Sequence, residues 1–131
     1  MGHSTSNPCS ISQKAALQAL QTKDDVIDEM VGEFEQRRDF VVDRLQSIDG
    51  VSCLEPGGAF YVFPDLSDVI ASKDAIGDDQ DLVMTLLEEA QVAPVPGSAF
   101  GAPGFLRLSY ASSRDRLEEG LDRLENWIES T

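Results

Sequence analysis

The period of the apolar positions changes along this chain, and each change marks an element boundary. Near the N-terminus Ile11, Ala15 and Leu20, with Ala16 and Leu17 beside them, form a helical stripe. Asn7 followed by Pro8 predicts the start of that helix, because proline's missing N–H costs nothing in a first turn. Short and rich in alanine, this helix is expected to pack closely against something. A longer helix is predicted from about residue 23 to 48, where Ile27, Met30, Phe34, Val41, Leu45 and Ile48 recur at helical spacing. Asp24, Asp25, Asp28 and Glu29 crowd its first turns, where the helix dipole favours negative charge, and Gly50 ends it.

From residue 51 the period shortens. The stretch "VSCLEPGGAFYVFP" reads as a short strand, a Pro-Gly-Gly turn and an aromatic-rich strand over residues 59–63. Residues 65–80 are polar and weakly patterned, predicting a loop with at most one helical turn. A third helix is expected over about 81–90, on Leu82, Val83, Leu86, Leu87 and Ala90, followed by a short strand near 92–95. The loop "PGSAFGAPG" then leads into "FLRLSYASS" at 105–113. As an extended strand this last stretch alternates: Leu106, Leu108 and Tyr110 share one face, Phe105, Arg107 and Ser109 the other. Ser112 is read as the cap of the final helix, with Asp115 in a capping-box position, and Leu117, Leu121, Leu124 and Ile128 as its core stripe. The order α, α, β, β, α, β, β, α predicts an α+β fold, a two-layer sandwich with a small antiparallel or mixed sheet packed against helices, in a single domain over 1–131.

Charge changes the picture most. The 24 acids against 10 bases give a formal net charge of −14, a field that disfavours nucleic acid and anionic membrane surfaces as partners. Only three cations are lysine, and the acids are dispersed over predicted helix surfaces. That pattern resembles proteins of high-salt cytoplasm, so a halophilic archaeal source is expected. Apolar runs are too short to span a bilayer, and "MGHSTSNPCS" lacks the basic start and apolar stretch of a signal peptide, so a cytoplasmic location is expected. Cys9 and Cys53 belong to no metal-binding spacing and are read as buried free thiols.

Candidate chemistry is sparse. The sole histidine, His3, lies in the first residues, and no serine elbow or activated cysteine accompanies it. No GxGxxG or GxxxxGK[ST] loop is present, no metal site is expected, and the carboxylates are scattered on helices. "PGGAF" at 56–60 and "PGSAF" at 96–100 are nearly the same pentapeptide, each a glycine turn delivering a phenylalanine; glycine matters where backbone must come close to another group. Arg107 remains, either a half-exposed cation on a strand's solvent face or a planar fork that grips a carboxylate by two parallel hydrogen bonds.

The succession "GHSTSNP", "Q..AAL.AL", a long helix with "RRD", "PGGAFYVFPD", "PGSAFG" and "G.LRLSYA.S" resembles the C-terminal third of a class I pyridoxal-phosphate aminotransferase, of the aspartate aminotransferase branch. The resemblance implies the small C-terminal domain of fold-type I pyridoxal-phosphate transferases, with the cofactor-binding large domain absent. It implies that Arg107 binds the α-carboxylate of an amino-acid or 2-oxo-acid substrate and that Phe60 lines the substrate pocket. Gly57 and Gly58 would let their segment close on the substrate. Ser6 and Asn7, within "STSNP", would approach the active site of the neighbouring subunit of a homodimer. The lysine that forms the Schiff base lies upstream in that family, and Lys14, on the exposed side of a predicted helix, is no substitute. This chain alone is therefore expected to carry no catalytic residue, bind no pyridoxal phosphate and be inactive, Met1 being an engineered start or the start codon of a truncated gene. The alternative is a stand-alone binding or assembly module that reuses the fold and catalyses nothing.

Overall fold

The computed structural model describes residues 7–22 and 25–130. The chain divides into two compact units, residues 1–31 and 32–131.

The first unit holds α1 (Ser10–Gln21) and the start of α2 (Asp25–Gln46). Cys9, not Asn7, is the N-cap of α1, and Pro8 precedes the cap, its carbonyl accepting from Gln13 Nε2 at 2.9 Å. No residue of α1 is buried: Ile11, Leu17 and Leu20 are exposed, as are Ile27 and Met30 of the expected α2 stripe. The stripes are present, but among the described residues nothing covers them, so the close packing expected of α1 is not found. Cys9 is exposed too, which corrects the expectation of two buried thiols; backbone N–H groups of Ser12 and Ile11 lower its pKa. Cys53, in the second unit, is buried, and burial raises its thiol.

The second unit carries the core. Val41, Val42 and Leu45 of α2 pack with Val62, Leu66, Leu82, Leu86, Leu106, Tyr110, Leu121 and Leu124 in one apolar cluster. The sheet is small and antiparallel: β1 (Tyr61–Val62), β2 (Val95–Pro96) and β3 (Leu106–Ser109) lie in the order β1-β3-β2, with Tyr61 opposite Ser109 and Val95 opposite Arg107. The strand expected at 51 reduces to a single bridge between Ser52 and Asp65. The alternation of β3 is as the pattern predicts: Leu106 and Tyr110 are buried and Leu108 packs against the core, while Arg107 stands half-buried on the opposite face.

Helices cover the core face. The stretch expected as a loop forms a six-residue helix, α3 (Ser67–Ser72), which follows a turn in which the Asp65 carboxylate accepts from the Ser67 amide at 2.9 Å. The next helix, α4 (Asp79–Thr85), begins two residues earlier than its apolar pattern, because Asp78 accepts from the amides of Gln80 and Asp81 at 2.8 and 2.9 Å. It continues as a π-helical turn over Leu86–Ala90 and stops at Gln91, whose φ is 56°. The last helix, α5 (Arg114–Glu129), is capped by Ser113 rather than Ser112. Asp115 then falls one position short of a capping box, and neither side chain makes a cap bond. Arg44 ties α2 to α5 through Asp122 and Glu125, both at 2.7 Å.

Candidate functional site: an arginine between aromatic rings

Strand β3 points Arg107 away from the core, and register brings its neighbours to the same face. Tyr61, paired with Ser109, is on that face and sets its ring centroid 4.5 Å from the guanidinium carbon. From the other side of β3, the turn that follows β2 brings the Phe100 ring to 4.7 Å. Aromatic rings attract a guanidinium through its flat faces, which leaves the N–H groups along its edge free to donate. Those edge donors have no carboxylate, carbonyl or hydroxyl partner among the described residues, whereas Arg37, Arg38, Arg44 and Arg123 are all ion-paired. In a chain this acidic, an arginine held half-buried without a counter-charge is set up for an anion that comes from outside.

Two turns frame the arginine. The first, residues 56–60, carries Phe60, which is 42% exposed and meets Tyr61 with ring centroids 4.4 Å apart. Phe60 therefore reaches Arg107 through Tyr61. Gly57 and Gly58 lie in open space, where an added Cβ would meet nothing within 4 Å, so neither is needed for a close approach; the left-handed residue is Ala59, at φ 63°. Buried Tyr110 holds this turn, its hydroxyl donating to the Ala59 carbonyl and its amide to the Phe60 carbonyl, both at 2.9 Å. Burial raises the Tyr110 pKa above the ordinary phenol value, with smaller opposing effects of Arg38 and Asp39.

The second turn, Gly97–Phe100, is a 3₁₀ turn against β3. A Cβ on Gly97 would collide with the Ala102 carbonyl oxygen and with Phe105. The Asp79 carboxylate accepts from the Ser98 amide at 2.7 Å, and Asp79 is only 2% exposed. Phe63 stacks on Phe105 at 5.3 Å and meets Phe100 edge-on at 6.1 Å, completing an aromatic floor beside Arg107.

Of the residues singled out in the sequence, Arg107 is thus placed in a site, Phe60 and Gly58 lie on a turn beside it, and Asn7 is exposed in the first unit. Ser6 and His3 lie outside the described residues. Sequence reasoning missed Tyr61, Asp79 and Tyr110 and gave Phe100 no role; the strand register would have placed Tyr61 on the face of Arg107. Among the described residues no group of three or more His, Cys, Asp or Glu could hold a metal ion. No described helix is long and apolar enough to cross a membrane.

A three-stranded antiparallel sheet beside helices, with one unpaired arginine on its open face, is the framework that the comparisons join to known proteins. Residues 1–124 match the family described as Aminotransferase class I and II, and the chain belongs to that family. It is 49% identical over 128 residues to a probable aspartate/prephenate aminotransferase of Aquifex aeolicus, covering 96% of this chain and 32% of the relative. It is 45% identical to an aspartate aminotransferase of Geobacillus stearothermophilus, covering 98% of this chain and 32% of the relative. The crystal structure of the aspartate aminotransferase from Rhizobium meliloti superposes with a TM-score of 0.90 at 44% identity, over 97% of this chain and 33% of that one. The fold is therefore that of the C-terminal domain of these enzymes, and the chain spans about a third of the length of the relatives it matches. The curated relatives named here are bacterial and lend no support to a halophilic archaeal source.

The family implies pyridoxal phosphate in the complete enzyme, which requires a lysine amine for its Schiff base. The described lysines do not fit that group. Lys14 is exposed on α1. Lys73 places its ammonium 4.4 Å from the Trp127 ring centroid and donates to the Trp127 and Ile128 carbonyls, in the last turn of α5. Lys23 lies outside the described residues.

Proposed function

We propose that this chain supplies the carboxylate-binding half of an aspartate aminotransferase-like enzyme, whose complete form transfers an amino group reversibly between an amino acid and a 2-oxo acid. The observation that carries the reading is Arg107, flanked by Tyr61 and Phe100 and without a carboxylate partner among the described residues. Its free edge offers two parallel donors at the spacing of a carboxylate's oxygens, so Arg107 orients the substrate by its α-carboxylate while Phe60 and Tyr61 border the apolar side of the pocket. Pyridoxal phosphate would supply the electron sink in the complete enzyme; this chain, read as the small domain with the large domain absent, binds none and turns over nothing by itself.

The test is titration of the chain with 2-oxoglutarate, followed by NMR at the Arg107 side chain. Saturable shifts lost in Arg107→Gln and at least tenfold weaker in Arg107→Lys are expected. Identical titrations of native chain and Arg107→Gln would overturn the reading. Pyridoxal phosphate mixed with the chain should give no stable bound-cofactor absorption and no turnover of aspartate with 2-oxoglutarate.

Three further readings follow. The exposed Ile11, Leu17, Leu20, Val26 and Ile27 favour association into a homodimer, which sedimentation across concentrations would detect. The net charge of −14 favours a surface adapted to salt, so the unfolding midpoint should rise in molar KCl. A cytoplasmic location accords with the same acidic surface, and fractionation of cells producing the complete protein would test it.

A further inference from the structure

We propose that Asp79 is a positioning residue for Arg107. Its buried carboxylate fixes the Ser98 amide, and through it the turn that holds Phe100 against the guanidinium. That this orientation serves substrate binding rests on the reading of Arg107 given above; the orientation itself does not.

The argument begins with cost. Asp79 is the buried charged residue of the described chain, at 2% exposure, and a carboxylate taken out of water is retained only where it accepts strong hydrogen bonds. The bond it accepts from the Ser98 amide, 2.7 Å long, has the short length of a charge-assisted contact. Ser98 lies in the turn that carries Phe100, which is otherwise weakly tied. Phe100 is 51% exposed and touches Phe63 only edge-on, so its own burial does little to hold it over Arg107.

The other end of the turn is anchored to the strand that bears the arginine. The Gly97 amide donates to the Phe105 carbonyl at 2.7 Å, and the Ala102 amide closes the turn on the Gly97 carbonyl at 3.0 Å. The turn is thus clamped between the start of α4 and the start of β3. Removing the α4 clamp frees Ser98, and Phe100 with it, while β3 and Arg107 stay in place. Because its carboxylate is buried and engaged by an amide, Asp79 also adds negative charge to the framework without offering Arg107 a competing exposed partner.

The experiment reads the Arg107 Nε–Hε resonance of the 131-residue chain, assigned by its loss in Arg107→Lys. Ring currents from Tyr61 and Phe100 should displace it upfield of the exposed arginines. Phe100→Ala and Asp79→Ala should both move it toward the exposed value, and Asp79→Asn, which keeps a carbonyl acceptor, should restore it. Where Asp79→Ala fails to fold, Asp79→Leu fills the site without accepting and takes its place. An Arg107 resonance unmoved in Phe100→Ala, or unmoved in the Asp79 variant while the Ser98 amide shifts, would overturn the proposal. No ligand enters this measurement, so a failed 2-oxoglutarate titration beside a successful ring-current result would reject the carboxylate reading and leave the positioning intact.

Discussion

"PGGAF" and "PGSAF" differ at one position, yet the two turns are built on opposite principles. In the first, both glycines stand in open space, the strained backbone belongs to Ala59, and a neutral phenol donates to a carbonyl. In the second, Gly97 is packed where no side chain fits, and a buried carboxylate accepts from an amide. The same five letters therefore do not say which glycine is indispensable. What decides is the strand behind the turn: Gly97 lies against the entry to β3, whereas Gly57 faces solvent.

The sharpest break of this symmetry is Gly97→Ala. Its Cβ has backbone on two sides, so a loss of about 3 kcal/mol is expected in urea unfolding at unchanged m-value. A loss below about 1 kcal/mol would show that the second turn is as forgiving as the first. Tyr110→Phe comes next, removing one hydrogen bond for about 1 kcal/mol at neutral pH. The native phenol has a raised pKa, so its contribution is complete below the unfolded value near pH 10 and is lost as pH rises through the folded value. The stability gap between native chain and Tyr110→Phe should accordingly shrink above about pH 10, and a constant gap would refute the assignment. Smaller still is Ala59→Gly, where relief of about 1 kcal/mol of left-handed strain is partly offset by the flexibility glycine adds to the unfolded chain. Net stabilisation below about 1 kcal/mol should appear as a modest rise in the urea midpoint. Gly57→Ala should stay within about 0.5 kcal/mol of native, and a larger loss would mean the first turn has a close contact after all.

Elements carried by a long apolar period were legible from the sequence. The stripe in α5, the alternation in β3 and the second half of α2 all lie where the pattern puts them, because burial against one core sets the period. Short polar elements were not: α3 is six residues long and rests on a turn bond at Asp65. The β1 and β2 strands shrink to two residues each because backbone pairing with β3 ends where the turns begin. In the site, Arg107 stood out as a cation inside an apolar strand. Asp79 did not, since nothing in "DDQD" marks one acid as buried; its role appears only when Ser98 folds back on it. Nor does local sequence explain why Ala59 rather than Gly58 takes the positive φ; the bond from Tyr110, far along the chain, accompanies that choice.

The sheet order has a bearing on how the molecule comes into being. Its central strand is the last of the three to be synthesised: Tyr61 waits for Ser109, and Val95 for Arg107. A nascent chain leaving the ribosome can wind its helices early, but neither edge strand has a partner until β3 emerges, and α5 must follow to bring Leu121 and Leu124 to the core. The arginine and the rings that flank it are then assembled in one late step, so that completing the sheet and completing the site are the same event.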